Sequence, residues 1–343
     1  MSLLSISLFG ASSPGELIRW GADISGEDTG AKPIGYATNR VVAPNHILTN
    51  VVAAAAGQWH GLALLSDGTV AGWGGNSFGQ TLGYSMDSAY RTNGIVIIAG
   101  HVLRNVVAIS AGQTHSLALK RDGSVAEWGA LNDGARIDVP SELSNVVAIA
   151  AGWGYDVAIV GDGTVVGWGV RRVPAGLSNI VAIAAGQGPF SPSLALRRDG
   201  IVVEWRPGVE FEGGRIVASN AVAISAGGGH SLALERDGTV FGWGENASGE
   251  ATGIPTSPSP INGESWSNGL VIIHSQTLNN VTAVAAGTGY SLALKGDGTL
   301  VAWGARSWHT TDVPSGLSNV VAIAAGGNFC LAITTNSPGL MIK

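Results

Sequence analysis

The chain has little charge, a single cysteine and no long apolar run. Only 12% of its 343 residues are charged, and the net charge is −6. Such a composition gives no sign of a positively charged surface that binds phosphate groups, so a nucleic-acid partner is not expected. Cys330 alone excludes an intrachain disulfide. No apolar run approaches the roughly 18 residues of a membrane helix, so no membrane span is predicted.

The first residues leave the location of the protein open. The stretch MSLLSISLFGASS combines a short apolar run with small residues, as a signal peptide does, but it lacks the positively charged start. A secreted or periplasmic location and a cytoplasmic location both remain compatible with the sequence.

A repeated phrase fills most of the chain. Asn and Gly recur seven times at a spacing of seven residues, within a phrase of the form NVVAIAAG, then SLAL, DGTV and WG. The pairs are Asn50/Gly57, Asn105/Gly112, Asn145/Gly152, Asn179/Gly186, Asn220/Gly227, Asn280/Gly287 and Asn319/Gly326. Such self-similarity is typical of repeat architectures. Because it runs from residue 17 to 336, residues 1–343 are expected to form one domain.

Each repeat predicts three strands. The run VVAIAA is continuously apolar, as expected of a strand covered on both faces, and SLAL and TVxxWG follow it. Asp-Gly separates the last two runs in six copies and predicts a hairpin, because Gly accepts the positive φ of such turns. A fourth, outer strand is predicted within Ile95–Ile98 and within Leu270–Ile273. Small antiparallel sheets repeated seven times are typical of a propeller.

The ends of the chain complement each other. The seventh repeat has no third strand, whereas Leu17-Ile18-Arg19-Trp20-Gly21 near the start is a third strand without a repeat. We therefore predict an all-β, seven-bladed β-propeller closed by pairing the N-terminal strand (17–21) with the C-terminal strands (320–334). Closure would remove exposed sheet edges, which invite aggregation.

Histidine and aspartate are interpreted as structural. His60, His115 and His230 occupy one repeat position that holds Tyr155, Tyr290 or Phe329 in other repeats. Phe cannot bind a metal, so this position requires a flat ring rather than a ligand. The hairpins alone explain the turn Asp residues. No catalytic residues, metal ligands or cofactor are predicted.

These residues resemble a known family. The phrase in Ala111–Gly129, continued by the WGGNSFGQ of residues 73–80, is similar to the regulator-of-chromosome-condensation repeat. The resemblance implies a seven-bladed propeller. The short repeats look more like bacterial members, including propeller-type β-lactamase inhibitor proteins, and imply a non-enzymatic protein that binds another protein.

The strand directions place the turns after AG and the segments after WG on one face. Large rings at such turn tips have no evident core to fill, and aromatic residues often dominate interfaces. The predicted partner-binding residues are Gln58, Trp59, Gln113, Trp153, Phe190, Trp266, Trp308 and Asn328. The alternative is that these rings fold over the mouth of the central channel.

The leading hypothesis is a monomeric, non-enzymatic scaffold that docks a protein partner through this face. Two alternatives stay open from the sequence. One is a guanine-nucleotide exchange factor for a small GTPase, as in the eukaryotic member of the family, and the other is a secreted glycan-binding propeller that uses the same aromatic tips. A lyase or hydrolase would require a carboxylate or His cluster at the channel mouth.

Overall fold

The computed structural model describes residues 15–22, 39–40, 48–84, 91–130, 138–170, 172–206, 214–257 and 266–335. Regular structure in these ranges is β-strand, apart from the 3₁₀ turn Ser307–His309. None of the described residues forms a helix with the length and apolar character that crossing a bilayer requires.

Seven antiparallel sheets, here called blades 1 to 7, contain the repeats. The inner strands of blades 1 to 7 are Val51–Ala56, Val106–Ala111, Val146–Ala151, Ile180–Ala185, Ala221–Ala226, Val281–Ala286 and Val320–Ala325. The second strands, in the same order, are His60–Leu65, His115–Lys120, Tyr155–Val160, Ser193–Arg197, His230–Glu235, Tyr290–Lys295 and Phe329–Thr334.

The third strands end within two residues of the repeated tryptophan, which is followed by Gly in every blade except blade 4, where Arg206 follows Trp205. In blades 1 to 6 they are Val70–Gly75, Val125–Gly129, Val165–Gly169, Val202–Trp205, Val240–Glu245 and Leu300–Gly304. Blade 7 takes Glu16–Gly21 as its third strand, which pairs along its whole length with the second strand Phe329–Thr334. The pairing predicted between the two ends of the chain is therefore present.

Among the described residues, outer strands occur in four blades. Arg91–Ile95, Arg215–Ala218, Trp266–Leu270 and Asn39–Arg40 extend blades 1, 4, 5 and 7. The prediction placed two of them a few residues too late. Pairing with the third strand ends at Ile95 and Leu270. The following residues form separate two-stranded hairpins, Ile97–Ile98 with His101–Val102 and Ile272–Ile273 with Gln276–Thr277.

The repeated Asn has a conformational role. All seven Asn residues of the Asn/Gly pairs adopt φ between 53° and 62°. This is the left-handed region, which Asn tolerates better than most side chains. In each blade the Asn carbonyl then accepts a hydrogen bond from the N–H of the residue that follows the second strand, as Asn145 does from Gly161 at 3.0 Å. The Asn thus turns the chain into the inner strand.

The Asp-Gly turns link each blade to the next, and the side of the ring that carries them is here called the DG face. The carbonyl of the turn Gly accepts a hydrogen bond from the first N–H of the next inner strand. The acceptors are Gly68, Gly123, Gly163, Gly200, Gly238 and Gly298, and Gly15 does the same for Val51. Because Gly15 connects blade 7 to blade 1, the contacts run around the whole ring.

Apolar clusters fill the seams between blades. Each of the seven core clusters contains one WG tryptophan, and each of these residues is buried: Trp20, Trp73, Trp128, Trp168, Trp205, Trp243 and Trp303. The inner strands, rich in Ala, contact one another around the axis, and the seventh contacts the first. Small side chains at this position allow seven strands to approach a narrow channel.

Candidate partner-binding face

The turns after AG and the ends of the WG strands lie on one side, here called the AG face. In six blades the residue after WG donates its N–H to a carbonyl in the AG turn of the same blade. The pairs are Gly75–Trp59, Ala130–Thr114, Val170–Gly154, Glu245–Gly229, Ala305–Gly289 and Ala22–Asn328. This confirms the deduction from strand direction that the two segments share a face.

Neighbouring AG turns are also bonded to each other. The first residue of a turn donates its N–H to the AG glycine of the next blade in five places, namely Gln58–Gly112, Gln113–Gly152, Gly228–Gly287, Thr288–Gly326 and Gly327–Gly57. These bonds fix the turns in place before any partner arrives.

Blade 4 interrupts this pattern with a longer turn, residues 187–192. Its Gln187 extends across the channel mouth, where its side-chain amide donates to the carbonyls of Ala56 (2.8 Å) and Ala111 (3.1 Å) in blades 1 and 2. Below it lies a cavity of about 100 Å³ lined mainly by alanines of the inner strands. An amide rather than an aromatic ring therefore spans the channel, and sequence reasoning missed this role.

The AG turns are free of charge. None of the seven turns between the AG glycine and the ring position contains Asp, Glu, Lys or Arg. On the DG face, by contrast, the hairpins carry six Asp residues and the basic residues Lys120, Arg121, Arg197, Arg198, Arg236 and Lys295. The turns of the AG face are thus uncharged, whereas the segments after WG on the same face include the exposed Glu245 and Arg306.

The predicted aromatic residues differ in exposure. Phe190, in the blade 4 turn, is 78% exposed, whereas Trp59 and Trp153 are half-buried. Val170 follows the WG of blade 3, is 61% exposed, and is bonded through its N–H to the turn that contains Trp153. Val170 and Phe190 are therefore exposed apolar side chains on the AG-side segments of blades 3 and 4, and Trp153 adds a half-buried ring to blade 3.

The other five predicted partner-binding residues lie in AG turns, in a connector or at the start of an outer strand. Gln58, Gln113 and Asn328 are half-buried, and their backbones take part in the bonds between turns and strand ends. Trp308 is 43% exposed and has a left-handed φ of 66° in the connector after blade 6. Trp266 begins the outer strand of blade 5, paired with Glu245, rather than belonging to a loop.

Comparison with known proteins agrees with this architecture. The family model for the regulator of chromosome condensation (RCC1) repeat matches residues 51–80 and 221–250, which cover blade 1 and blade 5 from the inner strand to the segment after WG. The crystal structure of Prp20p from Saccharomyces cerevisiae aligns with 98% of this chain and 97% of its own, with a TM-score of 0.74 and 20% identity. The chain is an RCC1-like β-propeller.

Two curated relatives share part of their sequence with this RCC1-like propeller. Protein pim1 of Schizosaccharomyces pombe is 27% identical over 169 residues, which cover 43% of this chain and 30% of pim1. The human probable E3 ubiquitin-protein ligase HERC3 is 38% identical over 85 residues, 24% of this chain and 8% of HERC3. The chain thus matches about a third or less of the length of these relatives.

The ring position of this RCC1-like propeller links adjacent blades. His60 Nε2 lies 2.8 Å from Ser116 Oγ, and His230 Nε2 lies 2.7 Å from Ser291 Oγ. The Tyr155 hydroxyl reaches Ser193 Oγ in the same way at 2.7 Å. Burial lowers the pKa of His230 to about 3, and burial, with a smaller effect of His115, does the same for His60. Both imidazoles are therefore neutral, as packing residues should be.

His115 stands in the same position but has a carboxylate partner, Asp156, at 2.8 Å. Burial lowers the pKa of His115, but the charge and hydrogen bond of Asp156 outweigh this effect and leave the pKa raised. Together with Glu127 these residues form the one His, Cys, Asp and Glu cluster in the described ranges that has the dimensions of a metal site. Assigning the whole repeat position to packing concealed this exception.

Proposed function

We propose that this RCC1-like propeller is a non-enzymatic, monomeric scaffold that docks a protein partner through its AG face. The observation that carries the proposal is the uncharged set of turns beside the exposed side chains of Phe190 and Val170. The buried cores of protein interfaces are depleted in charged residues and enriched in aromatic ones. The charged DG face lacks this character.

The rigidity of the face favours binding. Hydrogen bonds from the WG ends hold the turns of six blades, and five bonds join neighbouring turns. The blade 4 turn is held instead by the Gln187 side chain, which donates to the Ala56 and Ala111 carbonyls, and by the Ser191 hydroxyl, which donates to the Gly228 carbonyl. Binding therefore requires little further ordering of these loops, and loop ordering is one of the main free-energy costs of association. A standard interface buries roughly 800 Å² on each side, an area that a propeller face can supply.

The distribution of side chains favours an off-centre footprint. Bulky residues occupy the AG turns of blades 1 to 4, whereas those of blades 5 to 7 are built from Gly, Thr and Asn. Because energetically dominant residues tend to cluster, we expect the partner to lie over blades 3 and 4 and to reach Trp59 at its edge.

A structural relative supports a protein as the partner. The structure of Prp20p was described together with its binding to Gsp1p and histones. That likeness covers nearly the whole of both chains, so an equivalent face exists in the two propellers.

Site-specific photo-crosslinking tests the proposal. A benzoylphenylalanine is placed at Phe190 and, as a matched control, at Ile216, which is similarly exposed but lies on the outer strand of blade 4. We expect a protein to be cross-linked from position 190 and not from position 216. The recovered protein should bind the purified propeller, and Phe190→Ala with Trp153→Ala should weaken binding at least about 10-fold, as loss of interface anchors does.

Two results would overturn the docking face. One is efficient capture from position 216 with none from position 190. The other is unchanged affinity of the double variant for the recovered protein, with a melting temperature equal to that of the wild type. An Ile216→Ala variant, measured in parallel, controls for the loss of any exposed apolar side chain.

Nucleotide exchange on a small GTPase is the second candidate, favoured by the full-length structural likeness to Prp20p, a protein described with its binding to Gsp1p. Release of a fluorescent guanine nucleotide from purified small GTPases, with and without the propeller, distinguishes exchange from simple docking. Acceleration that Phe190→Ala does not affect would place exchange on a different surface.

A further inference from the structure

Three ionisable side chains converge at the seam between blades 2 and 3. His115 begins the second strand of blade 2, Glu127 lies in its third strand, and Asp156 lies in the second strand of blade 3. The potential ligand atoms of the three residues all lie within 4.8 Å of one another. His115 and Asp156 are fully buried, whereas Glu127 is half-buried.

The same seam in other blades has a different composition. His60 and His230 each contact a serine, Ser116 or Ser291, whose hydroxyl in turn donates to a backbone carbonyl at 2.8 Å. In blade 3 the serine is replaced by Asp156. At the position of Glu127, those two seams have Gly72 and Gly242. Two departures from the repeat therefore meet beside one histidine.

The Asp156 carboxylate is only half satisfied. Oδ1 contacts His115 Nε2 at 2.8 Å, but Oδ2 is buried and has no hydrogen-bond partner among the described residues. A buried carboxylate costs several kcal/mol of desolvation unless its oxygens are paired or bind a metal. A second carboxyl group beside it, Glu127, adds to this cost rather than relieving it.

The buried Asp156 carboxylate also affects the pKa of Glu127. Burial and the charge of Asp156 raise its pKa to about 8, against the opposing effect of a hydrogen bond from Trp168. Trp168 Nε1 donates to Glu127 Oε2 at 3.1 Å and so fixes the orientation of the carboxyl group. Metal-binding side chains are commonly oriented by hydrogen bonds of this kind.

We infer that His115, Glu127 and Asp156 form a binding site for a divalent transition-metal ion of the Zn²⁺ type, which joins blades 2 and 3. Imidazole nitrogen and carboxylate oxygen are both Zn²⁺ ligands, with bonds of about 2.0–2.2 Å. Tetrahedral ligands then lie roughly 3.4 Å apart. The 2.8 Å contact between His115 and Asp156 need therefore open only slightly.

A bound divalent ion would offset the negative charge of the two carboxylates at this seam. Two carboxylates and an imidazole can share one divalent cation, which would also engage the unpaired Asp156 Oδ2. Three protein ligands leave a fourth position for water. Glu127 is the least buried of the three ligands.

The test compares the wild type with Asp156→Ser, which restores the serine found at this position in the seams of blades 1–2 and 5–6 and keeps Glu127. Both proteins are treated with a chelator, incubated with Zn²⁺ and passed over a desalting column. The wild type should retain about one equivalent of zinc and gain about 5 °C or more in melting temperature at excess Zn²⁺. The Asp156→Ser variant should fold, retain no zinc and show no such gain.

Two further variants make the result specific. Glu127→Gln should weaken Zn²⁺ binding at least about 10-fold while keeping the size of the side chain. His230→Tyr removes an imidazole from the equivalent position of blade 5, where blade 3 already has Tyr155, and should leave zinc binding unchanged. Co²⁺ in place of Zn²⁺ should give a visible absorption band in the wild type and in His230→Tyr but not in Asp156→Ser.

Retention of no zinc by the wild type would overturn the inference. Equal thermal gains in the wild type and Asp156→Ser would also overturn it, since binding would then take place elsewhere, for example at the exposed His101, His274 or His309. If Asp156→Ser does not fold, Glu127→Gln decides the question, and undiminished binding by that variant refutes the site.

Discussion

On the DG face, similar contacts run from each blade to the next, whereas on the AG face the turns differ in length, size and polarity. Every DG contact uses backbone atoms of a turn Gly and of an inner strand. In five hairpins the Asp also accepts hydrogen bonds from the backbone and hydroxyl of the Thr or Ser two residues later. Side chains on the DG face therefore serve the turns.

On the AG face, the backbone and the side chains have separate roles. Backbone bonds between turns and strand ends hold its shape, so the side chains at the tips are free to vary. The difference teaches that one face maintains the ring while the other is available for function. Four substitutions, from the largest expected effect to the smallest, test this division.

Removing the closing tryptophan should have the largest effect. Trp20 is fully buried in the seam of blades 6 and 7, and its Nε1 donates to the Thr310 carbonyl at 3.0 Å. Trp20→Ala should lower the free energy of unfolding by about 3–5 kcal/mol, as truncation of buried aromatics does. Urea denaturation followed by circular dichroism measures this loss, and a loss under 1 kcal/mol would contradict the role of Trp20 in closure.

Acid should destabilise the seams through the buried histidines. The pKa of His230 is about 3 in the folded protein because of burial, against about 6.5 unfolded. Between these values the unfolded chain binds more protons, so stability falls as the pH drops below 6.5. At about pH 4.5 this residue alone should cost roughly 2–3 kcal/mol.

His230→Tyr should remove that acid sensitivity, because Tyr does not gain a proton in this range and Tyr155 shows that the position accepts it. Denaturation at pH 7 and at about pH 4.5 gives the difference for each protein. Equal acid losses in the wild type and the variant would show that His230 is not the group responsible.

Changing one left-handed Asn should have an intermediate effect. Asn145 has φ 53°, and Ala in this region is strained by about 1–2 kcal/mol. Asn145→Ala should therefore lower the free energy of unfolding by about 1 kcal/mol, while Asn145→Gly should lower it less because Gly has no such penalty. If the two variants are equally unstable, side-chain contacts rather than backbone conformation explain the Asn.

An exposed tip should matter least to stability. Phe190 is 78% exposed, so Phe190→Ala should change the free energy of unfolding by no more than about 0.5 kcal/mol. A loss above 1.5 kcal/mol in thermal or urea unfolding would mean that this turn stabilises the fold, and the contrast between the faces would then fail.

Much of the fold could be predicted because the same sequence pattern occurs seven times, so that several copies indicate each structural element. The Asn/Gly spacing, the Asp-Gly hairpins and the WG tryptophans each correspond to a backbone requirement or a core position. Closure followed from counting third strands. The outer strands were less accurate, since Ile97 and Ile272 have the composition of a strand but pair with a separate hairpin.

The sites were less predictable because they depend on departures from the repeat. Gln187 bonds with blades 1 and 2, far away in sequence, and no local pattern reports such a contact. The cluster at blades 2 and 3 needs two deviations from different repeat positions, Glu127 and Asp156, to meet beside one histidine in space. The sequence feature that indicates this cluster is Asp156, which stands where most repeats have Ser. The narrower resemblance to bacterial inhibitor proteins stays a prediction.

The shared seventh blade also has a consequence for biosynthesis. Because Glu16–Gly21 pairs with Phe329–Thr334, the first of these strands cannot pair until the second, more than 300 residues later, has been translated. Such distant pairing is slow, and unpaired strand edges are prone to aggregate in the meantime. Nascent chains should therefore remain sensitive to proteases and dependent on chaperones until the last repeat emerges, and should then become resistant in a single late step.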